Sequence, residues 1–268
     1  MNMCTDNLEK MDCNNKAAYE ICFSPTGGTK KISTFLINGL SGKSVNIDLS
    51  DSKTIFQDIS LSADDLAVIA VPSYGGRVPA PAAERISMIH GNGAKAIIVC
   101  VYGNRAYEDT LVELQDTVYK SEFFVVAAIA AVAEHSIAHQ FAANRPDKVD
   151  YAHLEEFICR IKEKLRNENY SMPTIPGSRP YRKAERAGIV PKKTRSCTKC
   201  GVCAIKCPVN AIDKSNPSIV DKKLCISCMR CVSICPNNAR KVNGLLLFIV
   251  GKMLKKACSV RKECELYL

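Results

Sequence analysis

Two copies of one cysteine spacing occupy the C-terminal third of the chain. Each copy has the pattern C-x2-C-x2-C-x3-C-P, and the second follows the first at an offset of 28 residues. The eight cysteines are Cys197, Cys200, Cys203 and Cys207 in the first copy and Cys225, Cys228, Cys231 and Cys235 in the second. Thiolates at this spacing bind the irons of cubic iron–sulfur clusters. The repeat therefore predicts two [4Fe–4S] clusters.

The fourth cysteine of each copy is expected to serve the cluster of the other copy, because it lies beyond its own loop and points away from it. One cluster is thus assigned to Cys197, Cys200, Cys203 and Cys235, and the other to Cys225, Cys228, Cys231 and Cys207. Zinc is the alternative metal. Structural zinc sites commonly combine two C-x2–4-C pairs across a longer spacer. Triplets followed by Cys-Pro lack that arrangement, so iron–sulfur clusters are favoured.

Seven further cysteines have no cluster spacing: Cys4, Cys13, Cys22, Cys100, Cys159, Cys258 and Cys264. Cys22 and Cys100 fall in apolar segments, where a thiol is expected to be buried as a small hydrophobic group. Cys258 and Cys264 lie in a basic tail, where a third metal site remains a minor alternative.

A loop of small and hydroxyl-bearing residues follows the first apolar segment. Its candidate ligand contacts are Ser24, Thr26, Gly27, Gly28 and Thr29. Hydroxyls, glycine amides and a helix N-terminus together favour a bound phosphate. The loop lacks the lysine of a P-loop and the pattern G-x-G-x-x-G, so a phosphate monoester such as that of FMN fits best. A small-residue turn without a ligand is the alternative.

Two later loops and one histidine are expected at the same edge. The candidate contacts are Pro72, Ser73, Tyr74, Gly75 and Gly76, then Tyr102, Gly103 and Asn104, and finally His135. Tyr74 or Tyr102 is a candidate to stack on a flavin ring, although each is as readily an ordinary core or surface residue. His135 is a candidate hydrogen-bond or proton donor, with a purely structural capping role as the alternative.

The elements that position these loops alternate between strand and helix. Apolar runs predict strands over 19–23, 45–49, 66–71, 94–101 and 123–132, with helical patterns between and after them. This alternation predicts an α/β doubly wound domain with a five-stranded parallel sheet. Ligands of such folds bind at the carboxyl edge of the sheet. The cysteine repeat predicts a second, small α+β domain.

The two parts resemble two known families. Residues 190–243 resemble the bacterial two-cluster ferredoxins, and residues 17–167 resemble flavodoxins through the three loops above. Together they resemble flavodoxin–ferredoxin fusion proteins of anaerobic bacteria and archaea. The resemblance implies electron exchange between FMN and two clusters inside one polypeptide.

This chain departs from the flavodoxin pattern in two ways. It contains no tryptophan, a common stacking residue in flavodoxins. Arg77 and Arg105 stand where flavodoxins usually carry acidic residues near the flavin. A cation near the flavin is expected to stabilise its anionic reduced forms, so the hydroquinone should be easier to reach than in a typical flavodoxin.

The predicted division of the chain has five parts. They are an N-terminal extension (1–16), a flavodoxin-like FMN domain (17–167), a basic proline-containing linker (168–194), a ferredoxin domain (195–243) and a C-terminal docking tail (244–268). The linker is expected to wrap around or dock on a domain, with a solvated tether and a patch for an acidic redox partner as the alternatives. The tail is expected to dock on a domain, with shallow membrane contact as the alternative.

Charge and composition limit the classes of partner. The formal net charge is +10, but two clusters at about −2 each and one phosphate at about −2 lower it to roughly +4. Nucleic-acid binding is therefore not predicted. No apolar run approaches the roughly 18 residues of a membrane span. The absence of a signal-peptide pattern and the many thiols predict a cytoplasmic, reducing location.

Three functions are compatible with these features. The favoured one is electron transfer with a redox protein partner, because no acid–base group other than His135 is evident. The second is a flavoenzyme that reduces a small molecule beside Tyr74, Tyr102 and His135. The third is a redox sensor whose clusters report oxygen or iron.

Overall fold

The computed structural model describes residues 17–168, 170–184 and 187–268. The predicted N-terminal extension, which includes Cys4 and Cys13, lies outside the described residues. Within the described ranges the chain forms one large sheet with helices on both faces and a separate two-stranded sheet.

The five predicted strands are all present. They are β1 (Ala18–Cys22), β2 (Val45–Asp48), β3 (Leu66–Pro72), β4 (Lys95–Tyr102) and β5 (Phe124–Val132). They pair in parallel in the order β2-β1-β3-β4-β5. The central strands are runs of small and β-branched apolar residues, as expected for strands covered on both faces. This order is that of the flavodoxin-like doubly wound sheet, and the predicted fold class is confirmed.

Four helices cover the two faces of this flavodoxin-like domain. They are α1 (Gly28–Leu40), α2 (Ala80–Ile86), α3 (Thr110–Lys120) and α4 (Lys148–Arg166). Successive strand residues point to opposite faces. Ile69 and Ile98 therefore join one apolar core, which includes side chains of α2 and α3. Val68 and Ile97 join the other, with α1 and α4. The loops after β1, β3, β4 and β5 meet at the carboxyl edge of the sheet.

Residues 187–241, here called the cysteine unit, are built from much shorter elements. These are β6 (Lys192–Lys193), α5 (Val202–Ile205), α6 (Arg230–Ser233) and β7 (Arg240–Lys241). β6 and β7 pair antiparallel. The buried members of its apolar cluster are Cys203, Ala204, Cys207, Ala211 and Ile212. Two of the five are predicted cluster ligands, so aliphatic side chains contribute little to this core.

The predicted linker packs against α3. The carboxylate of Asp109 accepts hydrogen bonds from the backbone nitrogens of Ser178 and Arg182, at 2.8 and 2.7 Å. A Cβ added to Gly177 would lie 2.4 Å from Cγ1 of Val112, so the linker passes α3 at a distance that requires glycine. The segment is therefore docked on the flavodoxin-like domain, and the alternative of a solvated tether does not describe it.

The tail consists of α7 (Gly244–Lys255) and β8 (Glu265–Tyr267). β8 pairs antiparallel with β5 and adds a sixth strand that the sequence pattern did not predict. None of the residues of α7 is buried. Among the helices of the described ranges, none has both the length and the apolar character to cross a bilayer. The tail thus docks on the sheet through β8, and α7 stays at the surface.

Candidate iron–sulfur and flavin sites

Four of the predicted cluster ligands line one cavity of the cysteine unit. They are Cys197, Cys200, Cys203 and Cys235. Three of them come from the first copy of the repeat and one from the second, as in the predicted assignment. Lys199 and Gly201 adopt left-handed backbone conformations, with φ of 58° and 77°. These two residues turn the loop sharply between the cysteines.

The other four predicted ligands line a second cavity. They are Cys207, Cys225, Cys228 and Cys231. In the described ranges, no three Cys, His, Asp or Glu side chains are close enough to hold a single metal ion. A cubic cluster offers its irons at separate corners. Cavities lined by four thiols each therefore fit the predicted group.

Hydrogen-bond donors and one cation face these thiols. The backbone nitrogens of Ala211 and Ala239 donate to the sulfurs of Cys207 and Cys235, at 3.3 and 3.2 Å. The guanidinium of Arg240, which is only 3% exposed, lies 3.7 Å from the Cys203 sulfur. The first cavity therefore has a buried positive charge on its wall.

Burial and hydrogen bonding set the ionisation of these thiols. Burial raises the pKa of Cys228 to about 11 and that of Cys231 to about 12. Burial also acts to raise the pKa of Cys235, but the backbone amides around it, led by that of Ala239, lower it below the usual value. Coordination by iron requires thiolates, so bound metal would hold the buried thiols deprotonated.

The second cavity lies against the carboxyl edge of the large sheet. Burial raises the pKa of Tyr74 well above its usual value, and the charge of the nearby Cys228 raises it further. Ile226, between two of the cysteines, packs on the core of the flavodoxin-like domain. Nη2 of Arg85 donates to the backbone oxygen of Pro208 at 2.5 Å. Tyr74, a predicted flavin contact in the loop after β3, thus lies close to Cys228 of the second cavity.

The loop after β1 places glycine and hydroxyl groups at the N-terminus of α1. Gly27 precedes the helix with a φ of 92°, a conformation that favours glycine. The Ser24 hydroxyl accepts a hydrogen bond from the backbone nitrogen of Lys30 at 2.9 Å. It thereby satisfies one of the four helix amides that lack an intrahelical partner. Thr26 is exposed and Thr29 is 5% exposed. This geometry fits a phosphate at the helix terminus.

The loop after β3 is fixed by contacts with α3. The hydroxyls of Ser73 and Thr110 lie 2.7 Å apart. Gly76 has a φ of 81°, and a Cβ there would lie 1.8 Å from Oε2 of Glu108. Only glycine fits under this carboxylate. Pro72 and Gly75 lie in the same loop, where Gly75 is exposed.

The two arginines near the predicted flavin edge are both paired. Nε and Nη2 of Arg77 donate to the two carboxylate oxygens of Glu113, each at 2.7 Å. Arg105 donates to Glu108 at 3.1 and 2.7 Å. Arg77 therefore has a carboxylate partner of its own, whereas Arg105 shares the carboxylate of Glu108 with Arg182.

The loop after β4 serves mainly as an anchor. Tyr102 is 4% exposed and belongs to the apolar core, with its ring 5.3 Å from that of Tyr107. Nδ2 of Asn104 donates to the backbone oxygens of Cys258 and Val260, at 3.0 and 2.9 Å. The Tyr102 ring is thus not an open stacking face, and the Asn104 side chain holds the tail.

His135 is held by the backbone around it. Its Nδ1 accepts hydrogen bonds from the nitrogens of Ile137 and Ala138, at 3.2 and 3.1 Å. Burial, followed by the charges of neighbouring cationic groups, lowers its pKa. Its ring covers Gly103, where a Cβ would lie 2.6 Å from the imidazole. This geometry favours the structural alternative for His135.

Sequence reasoning did not identify the buried cation or the two acidic partners. Arg240 occupies the position in the second copy that Ile212 holds in the first. That break in the repeat was a visible signal. Glu108 precedes α3 and Glu113 lies on it, and neither residue belongs to a sequence motif. Only the fold brings Glu108 to Arg105 and Glu113 to Arg77.

Comparisons with known proteins give a family match for the cysteine unit. The model of the 4Fe-4S binding domain family matches residues 191–213 and 218–241. A ferredoxin-like protein from the nif region of Sinorhizobium fredii is 40% identical over 47 residues, which are 15% of this chain and 73% of that protein.

Solved flavodoxins align with the N-terminal part at low identity. The flavodoxin of Streptococcus pneumoniae TIGR4 is 16% identical with a TM-score of 0.38, covering 56% of this chain and 97% of its own. The two-electron reduced flavodoxin of Megasphaera elsdenii is 12% identical with a TM-score of 0.36, covering 53% of this chain and 98% of its own.

The family match concerns the cysteine unit. A 4Fe-4S binding domain supports electron transfer through iron–sulfur centres. Through its cysteine unit the chain belongs to the ferredoxin family of 4Fe-4S proteins, and it joins this ferredoxin domain to a flavodoxin-like domain.

Proposed function

We propose that this protein transfers electrons between an FMN at the carboxyl edge of its sheet, two [4Fe–4S] clusters and a separate redox protein. The cofactors supply the redox chemistry, and the chain holds them and sets their surroundings. The observation that carries the proposal is the grouping of eight thiols around two cavities, four to each. The many thiols favour a reducing compartment such as the cytoplasm.

The position of the second cavity supports exchange within the chain. Cys228 and Ile226 face the flavodoxin-like domain, beside Tyr74 of the β3 loop. The first cavity lies on the other side of the cysteine unit's repeat and includes the exposed Cys200. We therefore propose that the second set of thiols holds the cluster next to the flavin, and the first set holds the cluster that meets the partner.

The phosphate-binding role falls to the loop after β1. Gly27, Gly28 and the hydroxyls of Thr26 and Thr29 would hold the phosphate at the start of α1. Ser73 and the glycines of the β3 loop would face the ring system. Tyr102 and Asn104 are left out of this set, because the core and the tail already engage them.

The carrier function is favoured over the flavoenzyme by the environment of His135. Its Nδ1 already accepts two backbone hydrogen bonds, and its ring is packed on Gly103. Burial also lowers the pKa of this imidazole, so the cationic form that would deliver a proton is disfavoured. Among the predicted site residues it was the one acid–base candidate.

Anaerobic purification followed by metal, sulfide and flavin analysis tests the proposal. Two cubes and one flavin require about eight irons, eight sulfides and one FMN per chain. The variants Cys203→Ala and Cys235→Ala should lose the same cluster signal by electron paramagnetic resonance, and Cys207→Ala and Cys231→Ala the other. Cys258→Ala, outside both cavities, is the matched control and should keep full iron. Protein that holds zinc in place of iron would refute the cluster assignment.

The flavin half has its own test. Thr26→Val removes a hydroxyl but keeps the size of the side chain, and a lost hydrogen bond to a charged group costs about 1.5–3 kcal/mol. The dissociation constant of FMN should therefore rise about tenfold or more, while the iron content stays the same. Thr198→Val in the cysteine unit should leave FMN binding unchanged. A protein with full iron that binds no FMN would remove the flavin from the proposal.

A further inference from the structure

The outward face of α7 is apolar and has no protein cover in the described ranges. Leu245, Phe248 and Met253 are 69%, 59% and 76% exposed, and Leu246 and Ile249 lie on the same side at 36% and 45%. Contiguous apolar surface of this kind usually marks an interaction site. The flavodoxin-like domain buries its aliphatic side chains thoroughly, so this helix stands apart from the rest of the molecule.

The last turn of the same helix is basic. Lys252, Lys255 and Lys256 are all exposed. No aspartate or glutamate occurs between Asp221 and Glu263. The ammonium of Lys252 lies 4.8 Å from the ring centroid of Phe248, so its aliphatic stem runs beside an apolar side chain. Long cationic side chains commonly extend their stems along apolar surface while the charge stays in water.

The length and attachment of α7 make it a surface element. Its 12 residues give a length of about 18 Å at 1.5 Å per residue, well short of the roughly 30 Å of a bilayer core. Leu247, Val250 and Leu254 are half-buried and recur at helical spacing on the side towards the protein. The bonds from Asn104 to residues 258 and 260 hold the segment that follows. The outer face is therefore presented in a fixed position.

We propose that α7 docks this protein on the surface of an anionic lipid bilayer. Helices that lie in a membrane interface combine leucine and phenylalanine on one face with lysine near the headgroups. A cluster of lysines without acidic neighbours is attracted to anionic lipid. A protein partner would have to cover this apolar face and neutralise three lysines at once, and a lipid surface does both. The inference does not depend on the electron-transfer proposal.

Co-sedimentation of the full-length, cofactor-loaded protein with lipid vesicles tests this inference. The protein should bind vesicles of phosphatidylcholine and phosphatidylglycerol and not vesicles of phosphatidylcholine alone. Replacing Lys252, Lys255 or Lys256 with glutamine should weaken vesicle binding about fivefold each. Added salt should likewise weaken vesicle binding by the wild-type protein. Phe248→Ser should weaken binding about tenfold or more at every salt concentration, because it removes buried apolar area.

Matched controls lie elsewhere on the surface. Ile55, an exposed apolar residue at 64%, and the exposed Lys43 offer the variants Ile55→Ser and Lys43→Gln, which should bind vesicles like the wild type. Absence of binding to anionic vesicles at low salt would overturn the proposal. So would a concentration-dependent dimer that Phe248→Ser abolishes, since a second copy would then be what covers this face. Binding that Phe248→Ser and the lysine variants leave unchanged would also refute it.

Discussion

The flavodoxin-like domain and the cysteine unit are held together by different means. In the first, whole strands of Ile, Val and Ala side chains are fully buried on both faces of the sheet. In the second, the helices have four residues each, and cysteines form part of the buried cluster. The sheet thus has an aliphatic core of its own, whereas the cysteine unit depends on whatever occupies its two cavities.

The two parts also treat buried charge differently. Arg77 of the flavodoxin-like domain pairs with Glu113, and Arg105 shares Glu108 with Arg182. Arg240 of the cysteine unit has backbone oxygens and a cysteine sulfur as neighbours, with Pro191 accepting at 3.2 Å. Its charge is therefore available to a negatively charged group in the first cavity. One part pairs its cations with carboxylates, and the other leaves one to interact with its ligand.

Removal of iron should give the largest difference between the two parts. With a chelator under reducing conditions, residues 187–241 should lose nearly all protection from protease, because metal binding and folding are coupled in such small units. The sheet should persist. Limited proteolysis with mass analysis, together with far-ultraviolet circular dichroism, measures both. A cysteine unit that stays protected without iron would show that its side chains suffice.

A cavity created in the core of the sheet should destabilise the flavodoxin-like domain and leave the cysteine unit unchanged. Ile98 is completely buried, so Ile98→Ala should lower the free energy of unfolding of the flavodoxin-like domain by about 2–5 kcal/mol. The iron content should not change. Urea unfolding followed by circular dichroism gives the value. Val45→Ala, at a site that is 52% exposed, should cost less than about 0.5 kcal/mol. Loss of iron in the Ile98 variant would mean that the two parts are energetically linked.

Arg240→Leu should lower the reduction potential of one cluster only. The cation stabilises the extra negative charge of a reduced cluster, and a hydrogen bond to a charged group contributes about 1.5–3 kcal/mol. For one electron this corresponds to roughly 60–130 mV. A potentiometric titration followed by electron paramagnetic resonance should show one shifted and one unshifted midpoint, and Arg240→Lys should restore most of the shift. Equal shifts of both midpoints would contradict the assignment of Arg240 to the first cavity.

The smallest expected effect concerns the linker that joins the two parts. The hydrogen bonds from the backbone of Arg182 and Ser178 lower the pKa of Asp109 below its usual value, although burial opposes them. A carboxyl whose folded pKa is depressed stabilises the fold above its unfolded pKa, near 3.9. That stabilisation is lost as the pH falls through the lower, folded value.

Protease cleavage within 173–184 should therefore increase below about pH 4, with a loss of about 1 kcal/mol in the stability of the docked segment. An acid-stable protease such as pepsin gives the readout. In Asp109→Asn the cleavage should be faster at neutral pH and should show no such acid step. If the variant kept the wild-type pH dependence, another carboxyl would be responsible.

Local pattern predicted most of the sheet but not the return of the tail. The five parallel strands are apolar runs, and such runs predict buried strands from the sequence alone. β8 has three residues, Glu265 to Tyr267, and alternates polar and apolar side chains too briefly to give a signal. Its pairing with β5 depends on a contact across more than 130 positions, which no window along the chain contains.

The candidate site divides in the same way. The spacing of the cysteines along the chain limits which of them can face one cluster. The four thiols around each cavity are those of the predicted sets. The loop residues of the sheet edge do not, because their role depends on neighbours from distant segments. Asn104 faces the tail and Tyr102 faces the core, and neither fact is visible in the loop sequence. The pairing of Arg77 with Glu113 likewise needs the fold.

Because β8 pairs with β5, the chain is attached to the flavodoxin-like domain both before and after the cysteine unit. The chain leaves the flavodoxin-like domain after the docked linker and comes back to it in the tail, where β8 pairs with β5. A single cut in the connecting segment would therefore leave both halves associated through the edge strand. Any transfer between the two cofactor sites would be a reaction inside one molecule, with a rate that dilution does not alter.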